Sequence, residues 1–233
     1  MNNTINQLDW EKIYASLNEE GFILVPKILS HKTCKEVSEL YSQDEKFRDI
    51  IRLERYRFGN GEYRYFKYPL PDIVQQWREI LYSYLVPIAN QWMKIKKKPY
   101  IFPDQLSDLI VDCHKIGQKR PSPLLLNYGK NDYTRLHHDL YGEIAFPFQA
   151  VFFLSCSKKE YEGGEFIITE HRIGVKTKAT AILPEQGDML LFASKYKPCV
   201  GNKGYYHVDL KHGVSKIKAG NRQTLGIIFH DTK

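Results

Sequence analysis

The stretch "LLLNYGKNDYTRLHHDLYGE" (residues 124–143) sets His137, His138 and Asp139 side by side in a segment otherwise suited to β-strand. In a strand, alternate side chains share a face, so His137 and Asp139 converge while His138 points away. An imidazole and a carboxylate two residues apart can occupy two positions around a metal. An isolated His-x-Asp triplet is common by chance, so the reading depends on what the rest of the chain supplies.

Outward from this stretch, the period of the sequence changes near Pro121. Downstream, "SPLLLNYG", "RLHHDL", "FPFQAVFFLSC", "GEFIITEH", "TKATAILPE", "DMLLFAS", "YYHVDLKHGVSKI" and "QTLGIIFHD" make about eight short β-rich runs separated by Gly, Asn, Asp or Lys. That number predicts a two-sheet jelly roll. Upstream, the pattern is mostly helical. "QLDWEKIYASLNEEG" carries Leu8, Ile13 and Leu17 near one face and stops at Gly21, and Ser30 is placed to cap "HKTCKEVSELY". "PDIVQQWREILYSYLVPIANQWMKI" predicts a longer helix kinked or broken at Pro87, and "FPDQLSDLIVDCHKIG" a short one. "FGNGEYRYFKYPLP" between them reads as a glycine-turned hairpin or an ordered loop, and the aromatics of 55–72 are placed either to form a lid or wall over a site or to pack against the helices. The expected architecture is α+β with a mainly β core: a mostly helical portion over 1–120 bracing a β core over 121–233, the two forming one structural unit.

Composition narrows the class. A hydrophobic fraction of 42% and a charged fraction of 26% are ordinary for a globular domain. The start "MNNTINQLDWEK" has no basic cluster followed by an apolar run, and no stretch approaches the roughly 18 apolar residues that span a bilayer, so a cytoplasmic protein with no membrane partner is expected. Cys34, Cys113, Cys156 and Cys199 are scattered and read as buried reduced thiols. The net charge of +7 favours an anionic partner. That charge sharpens in "KIKKKP" (94–99) and in the stretch 194–222, where lysines sit among tyrosines as on nucleic-acid surfaces.

His171, His207, His212 and His230 follow the His-x-Asp pair as candidates for a third ligand. His212 is preferred because Gly213 follows it, and a strand, turn and strand then bring back Arg222 and Thr224 on a shared face. Arginine grips a carboxylate through two parallel hydrogen bonds, and a neighbouring hydroxyl can add another. Such a pair suits a dicarboxylate held at its far end. The dipeptide Gly187-Asp188 reads as a hairpin turn.

His-x-Asp, a distant His and a basic residue ten positions further on resemble, in that order, the pattern of the Fe(II)- and 2-oxoglutarate-dependent dioxygenases. "FFLS", "GGEFIITE", "QGDMLLF" and "HGVSKIKAGNRQTLGIIFHD" resemble one bacterial subgroup, the nucleic-acid oxygenases of that superfamily, and the likeness reaches upstream through "FGNGEYRYFKYPLP" and "GQKRPSPLLL".

The resemblance implies a double-stranded β-helix with His137, Asp139 and His212 holding Fe(II). It implies that Arg222, helped by Thr224, binds the distal carboxylate of 2-oxoglutarate, that Tyr128 lies near that cosubstrate, and that "GGEF" (163–166) is a turn that lets a strand run close to the site. The implied reaction consumes O2, releases succinate and CO2, and hydroxylates a C–H bond, with oxidative demethylation of alkylated nucleic acid as the subgroup's expected use. Demethylases of the AlkB type carry a second arginine six positions beyond the first, where this chain has Ile228. The spacing is therefore also similar to prolyl hydroxylases, and a protein or small-molecule substrate is the rival. A catalytically silent nucleic-acid-binding jelly roll is the alternative of a different class.

Overall fold

The computed structural model describes residues 2–139, 142–202 and 204–233. Five helices lie among them: α1 (Asn2–Asn6), α2 (Trp10–Glu19), α3 (His31–Glu39), α4 (Asp72–Ile95) and α5 (Leu106–Lys115). None is long and apolar enough to cross a membrane. The larger sheet runs, in spatial order, β1 (Phe22–Val25), β11 (Met189–Ala193), β7 (Phe148–Phe153), β15 (Arg222–Ile228), β5 (Leu124–Tyr128), β4 (Glu62–Phe66) and β2 (Phe47–Arg52). The smaller runs β10 (Lys178–Ile182), β9 (Phe166–His171), β13 (Gly204–Val214), β6 (Tyr133–His137) and β3 (Gly59–Asn60), with β12 (Tyr196–Gly201) also on β13. A short pair, β8 (Tyr161–Gly163) and β14 (Ile217–Gly220), completes the set.

Antiparallel pairing throughout these strands, and a chain that passes repeatedly between the two sheets, make the jelly roll that the β-rich runs predict. Strand β7 explains one feature of its sequence directly. All six of its residues are buried, because the larger sheet is covered on both faces. Phe148 and Phe152 meet Trp92 and Trp77 of α4, with ring centroids 4.5 and 4.8 Å apart, while Gln149 and Val151 line the cavity between the sheets.

Helix α4 is the main brace. Val74, Trp77, Leu81, Tyr82, Leu85, Ile88, Ala89 and Trp92 recur at helical spacing and are buried as one face. It stays continuous through Pro87, contrary to a break there. Pro87 and Ser83, whose carbonyl loses its N–H partner, both lie on the solvent side, so water can satisfy the orphaned oxygen. Arg78 pins the helix to the end of β15. Its fully buried guanidinium donates to the carbonyls of Ile228 and Phe229 and to Asp231 Oδ1 at 2.8 Å.

The first 120 residues supply strands as well as helices. β1, β2 and β4 extend the larger sheet and β3 the smaller. "FGNGEYRYF" is therefore not a hairpin: β3 pairs with β6 and β4 with β2 and β5. Gly61, at φ 128°, makes the split, and a Cβ there would lie 2.3 Å from the Tyr128 ring. Nor do His212 and Arg222 lie on one hairpin. The chain leaves the smaller sheet after Val214, crosses through β14 and enters the larger sheet at Arg222. Gly187-Asp188 likewise marks a crossing from β10 to β11, with Asp188 accepting from the backbone N–H groups of Lys27 and Glu185.

Candidate active site

His137 and His212 are register partners across β6 and β13. Both face the interior, with ring centroids 4.4 Å apart. Asp139 sits just past the end of β6 and turns its carboxylate between them. Oδ1 is 3.3 Å from His137 Nε2 and Oδ2 is 3.1 Å from His212 Nε2. One ligand atom from each residue falls within 4.8 Å of the others.

Neighbours fix these rings. His137 Nδ1 is 2.7 Å from the Arg135 carbonyl, which can only accept, so the proton sits on Nδ1 and the Nε2 lone pair is left for a ligand. Phe166 stacks on His212 at an interplanar angle of 4°, and Phe192 meets it edge-on at 4.8 Å. Burial pushes Asp139 upward, but the two imidazoles outweigh it and hold the carboxyl well below the usual range. His212 is held below the ordinary imidazole value by burial, against the pull of Asp139.

Does this set fit a metal? Without a cation, both Nε2 atoms would have to carry protons to satisfy Asp139, and His137 would then be an imidazolium in a buried pocket. With one, two neutral imidazoles and a carboxylate present lone pairs to a common point. This two-histidine, one-carboxylate face suits Fe(II) and leaves coordination positions open.

The opposite wall comes from the larger sheet. Arg222 pairs in register with Tyr128, and Thr224 with Leu126, so that Arg222, Thr224 and Tyr128 all line the same cavity of about 340 Å³ as the three candidate ligands. Arg222 is 2% exposed, makes no ion pair among the described residues, and leaves Nε and Nη2 without hydrogen-bond partners. Burying an unpaired charge is costly, an anion seated here would offset that cost, and the planar fork fits a carboxylate. Burial lowers the Arg222 pKa. The group lies over Phe153 at 5.4 Å and Tyr128 at 5.9 Å. "GGEF" does bring its turn close: a Cβ on Gly164, at φ 67°, would stand 2.9 Å from Arg222 Cδ.

Tyr128 also donates to Tyr63 at 2.6 Å and shares a hydrogen bond with Thr134 Oγ1. Thr134 escaped the sequence reading, whereas Tyr56, Phe58 and Tyr63 belong to the stretch left open between a wall of the site and packing on the helices; Tyr56 and Phe58 stand at the cavity 57% and 40% exposed, Phe58 edge-on to His137 at 5.8 Å. The segment 55–72 thus contributes a wall of the cavity. A clue was present in its density of aromatics, but their direction depends on β3 and β4 joining different sheets.

The remaining histidines lie elsewhere. His138 pairs with Asp209 at 3.0 Å on the outer face of the smaller sheet, and His207 is exposed on that face. His171 bonds Thr177, and His230 accepts from the Phe146 N–H.

Comparison with known proteins gives a consistent picture. A family model, Oxygenase-NA, described as an oxygenase catalysing oxidative methylation of damaged DNA, matches residues 61–232. Uncharacterized proteins of Mycobacterium tuberculosis strains CDC 1551 and H37Rv are each 38% identical over 166 residues, 71% of this chain and 71% of theirs. Among solved structures, a prolyl-4-hydroxylase of Pseudomonas putida superposes with a TM-score of 0.59 at 14% identity, covering 96% of this chain and 99% of its own. A Trichoplax adhaerens prolyl hydroxylase, in complex with a hypoxia inducible factor peptide fragment, gives 0.53 at 15%, covering 98% and 91%. At these identities the likeness concerns the fold.

Proposed function

The chain belongs to the Oxygenase-NA family, and through it to the Fe(II)- and 2-oxoglutarate-dependent oxygenases, and from that premise we propose that it hydroxylates a methyl group on alkylated nucleic acid. The observation that carries the chemistry is the convergence, on one cavity, of His137, Asp139 and His212 with the unpaired guanidinium of Arg222. His137, Asp139 and His212 hold the iron. Arg222 takes the distal carboxylate of 2-oxoglutarate in a two-point grip, with the Thr224 hydroxyl beside it. When bound, the iron and 2-oxoglutarate supply the oxidising chemistry: O2 is consumed, succinate and CO2 are released, and a C–H bond becomes C–OH.

The protein's own part is positioning. Phe166 and Phe192 fix the His212 ring, and the Arg135 carbonyl fixes the protonated nitrogen of His137. The cavity walls, from Leu53, Leu124, Leu126 and Val151, keep the site dry around the reacting group. Tyr56 and Phe58 offer aromatic faces at the cavity to a base lifted out of its stack. Hydroxylation of an N-methyl group gives a carbinol that sheds formaldehyde, so oxidation there removes the methyl group. The net charge of +7 suits a polyanionic substrate.

A second reading, a prolyl side chain or small molecule, is favoured by Ile228. It occupies the place of a second arginine and lines the cavity as an apolar residue.

Anaerobic addition of Fe(II) and 2-oxoglutarate should give a weak visible charge-transfer band that His137→Ala and Asp139→Ala remove. Succinate and formaldehyde release is then measured across methylated oligonucleotides, proline-containing peptides and small metabolites. Stimulation by peptides alone would replace the nucleic-acid reading, and a band unaffected by either substitution would refute the iron site.

A further inference from the structure

Two lysine-bearing stretches about a hundred residues apart in sequence meet at a single aromatic ring. Lys96 at the end of α4 places Nζ 5.9 Å from the Tyr196 ring centroid, and Lys195 Nζ stands 4.7 Å from it. The His207 ring stacks on Tyr196 at 5.8 Å and 24°, and the His138 ring lies 6.3 Å away. Lys98 and Lys211 stand close enough for their charges to act on His207 and His138 respectively.

This arrangement differs from ordinary solvated lysines. Lys32, Lys35, Lys115 and Lys178 each face a carboxylate within 4.0 Å. Among the described residues Lys96, Lys98, Lys195 and Lys211 make no ion pair, and Asp209, committed to His138 at 3.0 Å, is the carboxylate recorded within the group. The crowding is felt locally. Burial and Lys98 push Lys96 down to about 8, and partial desolvation with Lys96 and Lys98 holds His207 below the ordinary imidazole range. Unneutralised cations interleaved with an aromatic stack are the surface that a single-stranded nucleic acid uses, its phosphates on the cations and a base on the ring.

Position ties this cluster to the cavity. His138, whose ring adjoins Tyr196, is the residue between His137 and Asp139, so the cluster and the candidate metal centre are separated by the width of one strand end. We propose that Lys96, Lys98 and Lys195, with the Tyr196 and His207 rings, form a docking site for the phosphodiester backbone of the strand whose base enters the cavity. The proposal rests on the nucleic-acid reading above and adds to it the path of the strand: along the outer face of β12 and β13, then over the rim at His138.

The test uses the anaerobic protein loaded with Fe(II) and 2-oxoglutarate, and a fluorescein-labelled single-stranded dodecanucleotide read by anisotropy over a range of salt. Combined Lys96→Gln, Lys98→Gln and Lys195→Gln should weaken binding at least about tenfold at low salt. It should also reduce the slope of log affinity against log salt by about 2, as expected for three lost phosphate contacts on a single strand. Lys32→Gln with Lys35→Gln, which removes the paired lysines of α3, should change neither. Tyr196→Ala should weaken binding by roughly fivefold or more, and Tyr196→Phe should restore it. In turnover, the triple variant should raise KM for a methylated oligonucleotide while kcat is retained.

Binding and KM unchanged in the folded triple variant, while the oligonucleotide still stimulates succinate release, would overturn the docking site and leave the nucleic-acid reading standing. Poly-glutamate competing as well as the oligonucleotide, with the same loss in the variant, would also overturn it. No binding of any oligonucleotide by the native protein would remove both.

Discussion

His212 and Asp139, 73 positions apart in the chain, stand 3.1 Å apart because the smaller sheet lays His212 directly beside His137, and Asp139, two residues past the end of β6, reaches between the two rings. The three side chains come from two strands and one strand end, with no helix or long loop in between. Such a support holds ligand positions to a fraction of an ångström.

Removing any one of the three should therefore abolish divalent-metal binding without unfolding the chain. Asp139→Ala is expected to weaken Mn(II) affinity by more than about 100-fold, beyond the loss typical of an outer-sphere change. Isothermal titration measures it, and circular dichroism should remain that of the native protein. Retained affinity would show that the metal, if bound, sits elsewhere.

Arg222 carries opposite consequences for stability and binding. Arg222→Leu should stabilise the ligand-free protein against urea by about 1 kcal/mol or more, because an unpaired buried charge is replaced by an apolar side chain. The same change should remove protection by 2-oxoglutarate. Arg222→Lys keeps the charge but loses the planar fork, and should raise KM for 2-oxoglutarate at least about tenfold. A stability loss with unchanged cosubstrate affinity would contradict the assignment.

Glu170 and Lys197 form a pair at 2.8 Å with side chains 10% and 1% exposed. Burial pushes Glu170 upward, but its bonds to Lys197 and Arg172 prevail and leave its pKa below the usual carboxylate value of 4.5. A depressed folded-state value means that the pair's stabilisation is present above about 4.5 and is lost as pH falls through the depressed value. Glu170→Gln should cost about 3 kcal/mol at neutral pH, since Lys197 stays buried without its counter-charge. The gap to native, followed by urea melts, should narrow below that window.

The thiols should separate by environment. Cys34 is fully buried, and burial pushes its pKa up to about 11, so iodoacetamide should leave it unmodified at pH 8 in the native state. Cys156 and Cys199 are half-buried, short of the full burial that their scatter suggested, and should react first. Peptide mass spectrometry distinguishes the sites.

Much of the fold and the candidate site could be read from the chain, and the reason is periodicity. A stretch such as 124–128 shows one face to the core and one to the cavity, and alternation pairs His137 with Asp139; His212 and Arg222 were legible through the family resemblance, since the hairpin expected to join them is a crossing between sheets. Strand β2, "FRDIIR", could not be read in this way. It is an edge strand buried mainly at Phe47, and its Arg48 and Asp49 pair with each other as in a loop. The bonds of Tyr128 to Tyr63 and Thr134 were hidden for a different reason: they join β4, β5 and β6, and no local pattern reports which strands become neighbours. The meeting of Lys96 with Tyr196 is a third case, fixed by how α4 lies against β12.

The candidate ligands and Arg222 project from opposite sheets, and this makes the gap between the sheets a ruler. A keto diacid can be held at both ends only if its carbon chain matches that gap. Oxaloacetate, one methylene shorter, and 2-oxoadipate, one longer, should each engage one end at a time and fail to support succinate-type turnover. Selection of the cosubstrate would then be set by the spacing of two packed layers, a dimension that no single side chain controls.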